Sequence, residues 1–387
     1  MFQMENSKIT AFIREVFSTD KPISLHEPTF GKTDVSAVEA AVKSTFVSSV
    51  GPEVDRFGSL VKEFTGSQGA IPVTNGTSAL HVALTAAGIG SGDLVITQAL
   101  SFVATGNAIL YTGAEPIFCD VNIQTMSLCP VKLRFFLEKN AKLIDGSCHL
   151  KACNRTIKAI LPMHTFGHPA LIDDLGSVCV DWNLILIEDA AESLGSYYKT
   201  AHTGTFGRMS AISFNGNKVI TTGGGGCVLT MCKDDHDTVK HLTSTAKVNS
   251  KYEFEHDMLG YNYRMPNINA ALGCAQIVKL PSLISQKRAL AKLYENFFKG
   301  SYVKFVAEPP NCRSNYWLNT ILMPSKLKKD QLIQYANSKG VNVRPAWVPL
   351  NRLKYFNGFL SEELDCTNYL YDRIVNLPSS PKEEYFA

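Results

Sequence analysis

Six short apolar runs constrain this chain more tightly than any other feature. They lie at residues 70–73, 94–97, 116–119, 157–162, 184–187 and 211–214. Segments that fit helices, such as 78–87 and 105–111, stand between most of them. Runs this short and this apolar suit strands buried on both faces, and their alternation with helices predicts an α/β fold with a mostly parallel sheet. Polar residues gather where the strands end: Thr74 and Asn75, His164, Glu188 and Asp189, and Asn215. Open α/β sheets bind ligands outside the carboxyl ends of their strands, so these residues are expected to share one site.

The flanking regions read differently. Residues 8–17 and 54–64 fit helices, and 34–43 fits one with Val35, Val38 and Val42 on one face. From about residue 267 a long helical stretch, 269–280 and 283–299, is interrupted at Pro281. A mixed α+β segment follows. The expected organisation is an N-terminal extension (1–23), a large α/β domain (24–265) and a small C-terminal α+β domain (266–387), with no flexible linker and no internal repeat.

Composition narrows the function. A net charge of +3 over 387 residues is too mild for a nucleic-acid surface. No uninterrupted apolar stretch looks long enough to span a bilayer, and the N-terminus lacks the apolar centre of a signal peptide. The ten cysteines are scattered without a CxxC pair, which argues for reduced thiols rather than a metal site. These readings point to a soluble cytoplasmic protein without nucleic-acid or membrane partners.

The chemistry centres on AISFNGNKVITTGGGGCVLT, residues 211–230. It reads as strand, turn, Lys218, four glycines and a second strand. Lys218, alone in a tight turn, is placed to form a Schiff base with pyridoxal phosphate. A lone turn lysine is otherwise a surface residue, and a glycine run is otherwise a turn. Other strand ends supply what such a cofactor needs. NGTSAL, residues 75–80, begins a helix, and Gly76, Thr77 and Ser78 there suit either a phosphate or a plain N-cap. IEDAAESLG, residues 187–195, places Asp189 where it could meet a protonated ring nitrogen and Glu192 where it could reach a ring hydroxyl. A helix-start acid pair is the alternative. Ser213 offers a phosphate hydroxyl, Phe102 a stacking face or a core residue, and His164 either a catalytic or a structural imidazole. A nicotinamide-dependent oxidoreductase fails on spacing, because the glycine run opens no GxGxxG helix followed by an acid.

The stretches VTNGTSALHVAL, SFVATGNAI, GAEPIFCDV, HTFGHP, IEDAAESLGS, GTFG, SFNGNKVITTGGGG and GYNYRMPNINAALG resemble the DegT/StrS-type sugar aminotransferases of PLP fold type I, over about residues 24 to 290. ISLHEPTFG, VSSVG, NYWLN and VRPAW further resemble the subgroup acting on UDP-4-keto-6-deoxy-N-acetylhexosamines, which feeds bacillosamine- and legionaminic-acid-type sugars. The resemblance implies Lys218 as Schiff-base lysine and Asp189 as partner of the pyridine nitrogen. It implies Glu192 at the ring hydroxyl, Thr77, Ser78 and Ser213 at the phosphate, and Phe102 on the ring. Asn262 would reach the phosphate of a neighbouring subunit, which implies a homodimer with shared sites. Ser44, Thr45 and Phe46 depart from a common Gly-Trp, and Gly58 from a frequent acid. A branch with histidine in place of the lysine performs dehydration; the lysine here favours transamination. The expected reaction moves an amino group from L-glutamate to the 4-keto carbon of a nucleotide-linked 6-deoxy sugar for glycan synthesis. The alternatives are a GDP- or dTDP-keto-sugar aminotransferase and a regulatory protein of the same fold.

Overall fold

A computed structural model describes residues 5–250 and 252–382. Helices α1 (Asn6–Phe17), α2 (Lys32–Lys43) and α3 (Pro52–Thr65) lead into the central sheet. Its first three strands are β1 (Gly69–Val73), β2 (Leu94–Gln98) and β3 (Glu115–Cys119), with α4 (Gly76–Ala86) and α5 (Val103–Tyr111) between them. After α6 (Pro130–Asn140), a hairpin of β4 (Ala141–Ile144) and β5 (Ser147–Leu150) precedes β6 (Ile157–Leu161). Helix α7 (Ile172–Trp182), β7 (Ile185–Asp189), the short β8 (Tyr197–Tyr198) and β9 (Ala201–His202), then β10 (Met209–Ser213) and β11 (Gly226–Thr230) complete this part.

The sheet order is β1-β11-β10-β7-β6-β2-β3. Pairings β10/β7, β7/β6, β6/β2 and β2/β3 are parallel, whereas β11 runs antiparallel between β1 and β10. All six apolar runs are strands of this sheet, and the glycine-led run after Lys218 is the seventh. Most are buried along their whole length, which is why they read as continuous apolar runs. Helices α4, α5 and α8 (Lys233–Thr243) cover one face. Helices α3 and α9 (Asn267–Phe298) contribute Phe57, Val61, Cys274 and Ile277 to the core of the other.

A second, antiparallel sheet follows, in the order β12 (Lys304–Phe305), β14 (Asn319–Leu322), β16 (Ile374–Leu377), β15 (Arg344–Pro345). β13 (Cys312–Arg313) pairs with β8 instead. Helix α1 belongs to this region by packing: Ile9, Ile13 and Phe17 share a core with Leu332 and Ala336 of α10 (Lys326–Ser338) and with Val375.

Two local expectations change. Helix α2 turns its valines outward, with Val35 64% and Val42 52% exposed, and buries Asp34 against Gln276 and Lys279. Helix α9 runs unbroken through Pro281. A proline removes one intrahelical hydrogen bond, but Leu280, Leu283 and Ile284 around it are buried and hold both halves in the core. The joined helix is long and apolar enough to cross a membrane by length and composition, contrary to the reading of two shorter pieces. Half of its most apolar window is packed inside the protein.

Candidate active site

Three strand ends place the reactive groups. Strand β7 ends at Glu188 and Asp189, successive residues that point to opposite faces. β10 ends at Ser213, and the turn after it carries Lys218, whose N–H donates to the Asn215 carbonyl at 2.9 Å. β1 ends at Val73, and α4 begins three residues later.

Lys218 Nζ stands 3.3 Å from Glu192 Oε1 and 3.8 Å above the centre of the Trp317 ring. Its side chain is only 13% exposed. The Trp317 indole N–H donates to the Asn217 carbonyl at 2.7 Å, so the ring is fastened to the lysine's own turn. Glu192 Oε2 accepts the Phe166 backbone N–H at 2.9 Å. Phe166 adopts φ +55, a left-handed conformation that costs a non-glycine residue about 1–3 kcal/mol. Burial pushes the Glu192 carboxyl up to about 7, against the pull of the Lys218 ammonium. Asn315 seals this side, donating to the Glu192 and Leu194 carbonyls at 2.9 Å.

Asp189 is 2% exposed. Its Oδ2 accepts the Thr105 hydroxyl at 2.7 Å, and its Oδ1 accepts the Ala191 N–H at 3.2 Å. Burial raises its carboxyl above the ordinary range, with the Thr105 bond opposing. A buried acid of this kind is stabilised by a cation brought to it.

The strand-to-helix turn answers the N-cap question. Asn75 is the cap, accepting the Ser78 N–H at 2.8 Å. Thr77 and Ser78 therefore sit in the first turn. With Asn75, Tyr111 and Tyr263 they line a cavity of about 290 Å³. A Cβ on Gly76 would lie 3.0 Å from the Ser213 Cβ, so glycine lets the helix start close against β10. Gly226 pairs with both Val73 and Ser213, and a Cβ there would come within 2.5 Å of the Asn75 carbonyl. Gly226, which ends the glycine run, thus brings β11 against the helix start.

Phe102 caps α5 without a side-chain bond and is 47% exposed, with its ring 6.1 Å from that of Trp347. Asn262 is exposed, and its backbone forms an isolated bridge with Ser244.

Of the two readings of His164, the geometry favours the structural imidazole. Its Nδ1 accepts the Ala170 N–H at 3.0 Å, so Nε2 carries the proton and donates to Glu188 Oε2 at 2.9 Å. Glu188 also accepts backbone N–H groups from Gly204, Phe206 and Gly207. Burial raises its carboxyl, but the His164 bond and these donors outweigh it and hold the group below its ordinary range. His164 is fully buried with both nitrogens engaged, on the face opposite Asp189. In this arrangement it braces the end of β7 through Glu188.

Sequence reasoning did not find Thr105, Phe166, Asn315 or Trp317. Thr105 lies within SFVATGNAI, Phe166 within HTFGHP, and Asn315 and Trp317 within NYWLN, so a signal existed. The roles depend on tertiary contacts that no spacing encodes.

The donor set suits pyridoxal phosphate. There is an amine beside a buried acid, a second buried acid prepared for a protonated nitrogen, and a helix N-terminus with hydroxyls facing Ser213. Fold and site together define an aminotransferase. Residues 28–384 match the DegT/DnrJ/EryC1/StrS aminotransferase family, and the chain belongs to it. A GDP-perosamine synthase of Escherichia coli O157:H7 is 35% identical over 93% of this chain and 94% of its own. EpsN of Bacillus subtilis, whose name designates a candidate pyridoxal phosphate-dependent aminotransferase, is 33% identical over 93% and 91%. The crystal structure of Helicobacter pylori PseC, an aminotransferase involved in pseudoaminic acid biosynthesis, superposes with a TM-score of 0.83 at 25% identity, covering 92% of this chain and 94% of that one. The chain is therefore a pyridoxal phosphate-dependent sugar aminotransferase.

Proposed function

We propose that this enzyme moves an amino group from L-glutamate to the 4-keto carbon of a nucleotide-linked 6-deoxy sugar. The observation that carries the reading is Lys218 Nζ held between Glu192 and the Trp317 ring, beside the buried Asp189. Pyridoxal phosphate, when bound, accepts and returns the amino group and delocalises the electron pair left at the donor's α-carbon. The protein's residues do the rest. Lys218 Nζ takes the α-proton from the donor and, in the second half, sets a proton on sugar carbon 4. Asp189 would hold a proton on the cofactor's ring nitrogen. Glu192 orients the ring hydroxyl and keeps Lys218 Nζ close. The α4 N-terminus with Thr77, Ser78 and Ser213 binds the phosphate, and Phe102 stacks on the ring. Asn262 of a second copy completes the phosphate site, which makes a cytoplasmic homodimer the working unit.

The subgroup motifs favour a UDP-linked N-acetyl sugar. A GDP-linked sugar is the second reading, favoured by the 35% identity to a protein named GDP-perosamine synthase. Purified enzyme incubated with glutamate and a panel of UDP- and GDP-linked 4-keto-6-deoxy sugars tests both. A 4-amino sugar from either family is the expected product. No amino sugar from any of them contradicts the proposal.

A further inference from the structure

The chain from residue 344 to 356 crosses from the small sheet onto the mouth of the site. The Leu350 N–H donates to the carbonyl of Ala99, just past the end of β2, at 2.9 Å. Leu350 and Phe356 pack against Gly106 of α5 so closely that a Cβ there would lie 2.4 Å from Phe356. This docking sets the half-buried Trp347 beside two rings of the large domain. Its ring centre is 4.9 Å from that of Phe166 and 6.1 Å from that of Phe102. Phe166 is the residue whose N–H holds Glu192, and Phe102 lies one turn before Thr105, which holds Asp189. Through Phe166 and Thr105 the cluster is tied to the residues that hold Glu192 and Asp189. Phe102 and Trp347 remain partly exposed, so the surface is open to a ligand.

We propose that Trp347, backed by Phe166, is the specificity wall that receives the carbon-6 methyl of the sugar and disfavours a 6-hydroxyl. The inference rests on the sugar aminotransferase reading above. A sugar whose carbon 4 meets Lys218 carries carbon 6 on the adjacent carbon 5, within reach of a wall that starts at Phe166, whose N–H holds the Glu192 beside Lys218. The nucleotide leaves from the far side of the sugar ring. Aromatic faces gain from burying a methyl and leave a hydroxyl without a partner.

The test is calorimetric binding to the cofactor-loaded enzyme of two matched pairs: UDP-N-acetylglucosamine with its 6-deoxy counterpart, and GDP-mannose with its 6-deoxy counterpart. In at least one pair the 6-deoxy sugar should bind about 10- to 100-fold tighter. Trp347→Gln should bring that ratio close to one, and Trp347→Phe should restore most of it. Thermal melting and cofactor retention report whether each variant is folded, and the ratio is insensitive to a general loss of stability. Equal binding within both pairs by the wild type, an unchanged ratio in folded Trp347→Gln, or no binding of any of the four sugars overturns the wall. Loss of the visible-absorbance response to glutamate in the wild type would instead overturn the aminotransferase reading itself.

Discussion

Lys218 Nζ and Glu192 Oε1 lie 3.3 Å apart, both almost wholly withdrawn from solvent. The pair has a consequence for pH. Burial raises the Glu192 carboxyl from 4.5 to about 7, so the folded, ligand-free protein binds a proton there that the unfolded chain has released. Stability is then lost as pH rises from about 4.5 to about 7. Glu192→Gln removes this titration, and its melting temperature should vary less over that window. The relative gain at neutral pH has a ceiling of about 3 kcal/mol before the lost contact to Lys218 is set against it. Melting curves of both proteins at several pH values check the sign.

Thr105 donates the shortest bond that Asp189 receives. Thr105→Val keeps the shape and removes the hydroxyl, leaving a buried carboxylate oxygen short of a donor. A stability loss of about 1–3 kcal/mol is expected, together with weaker retention of pyridoxal phosphate, because the carboxyl is harder to keep ionised opposite the ring nitrogen. Denaturant titration and dialysis with cofactor quantitation measure the two effects.

The sheet was legible because strands buried on both faces leave uninterrupted apolar runs, and the site was legible because its groups stand at the ends of those runs. Lys218, Asp189 and Ser213 were found this way. The antiparallel direction of β11 was not, since nothing in GCVLT differs from a parallel strand. The two readings of His164 stayed open for a related reason: it follows a strand, and only the alternation at Glu188 and Asp189 decides which face it meets. The outward valines of α2 and the unbroken α9 show tertiary packing overriding local pattern. Asn315 and Trp317 lie in NYWLN, a stretch the resemblance marks, but their contacts to Glu192 and to the Lys218 turn join distant parts of the chain that no local rule connects.

The bracing role of His164 makes a separable prediction. His164→Phe removes the donor to Glu188 and leaves a buried carboxylate with backbone partners alone. A stability loss of about 2–4 kcal/mol is expected. The fraction that remains folded should still change its visible absorbance on adding glutamate. A stable variant that has lost that response would return His164 to the chemistry.

Gly226 tests the account of the glycine run. Gly226→Ala forces a Cβ to within 2.5 Å of the Asn75 carbonyl at the start of α4. The crowding atoms are backbone of Asn75 and Gly76, which leaves little room to relax, so a loss of about 2 kcal/mol or more is expected. Cofactor affinity should fall with it, because the phosphate-binding turn is displaced. Gly216→Ala, where the nearest atom is 3.9 Å away, is the control and should be close to neutral.

The central claim is that Lys218 both anchors the cofactor and moves the protons. The most direct measurement is the visible absorbance of the wild type and of Lys218→Ala after loading with pyridoxal phosphate, followed by L-glutamate and a 4-keto sugar nucleotide. The wild type should absorb in the visible, lose that absorbance with glutamate and form a 4-amino sugar. Lys218→Ala should lack the lysine-linked absorbance and form no amino sugar. Amino-sugar formation by Lys218→Ala at an undiminished rate would contradict the assignment.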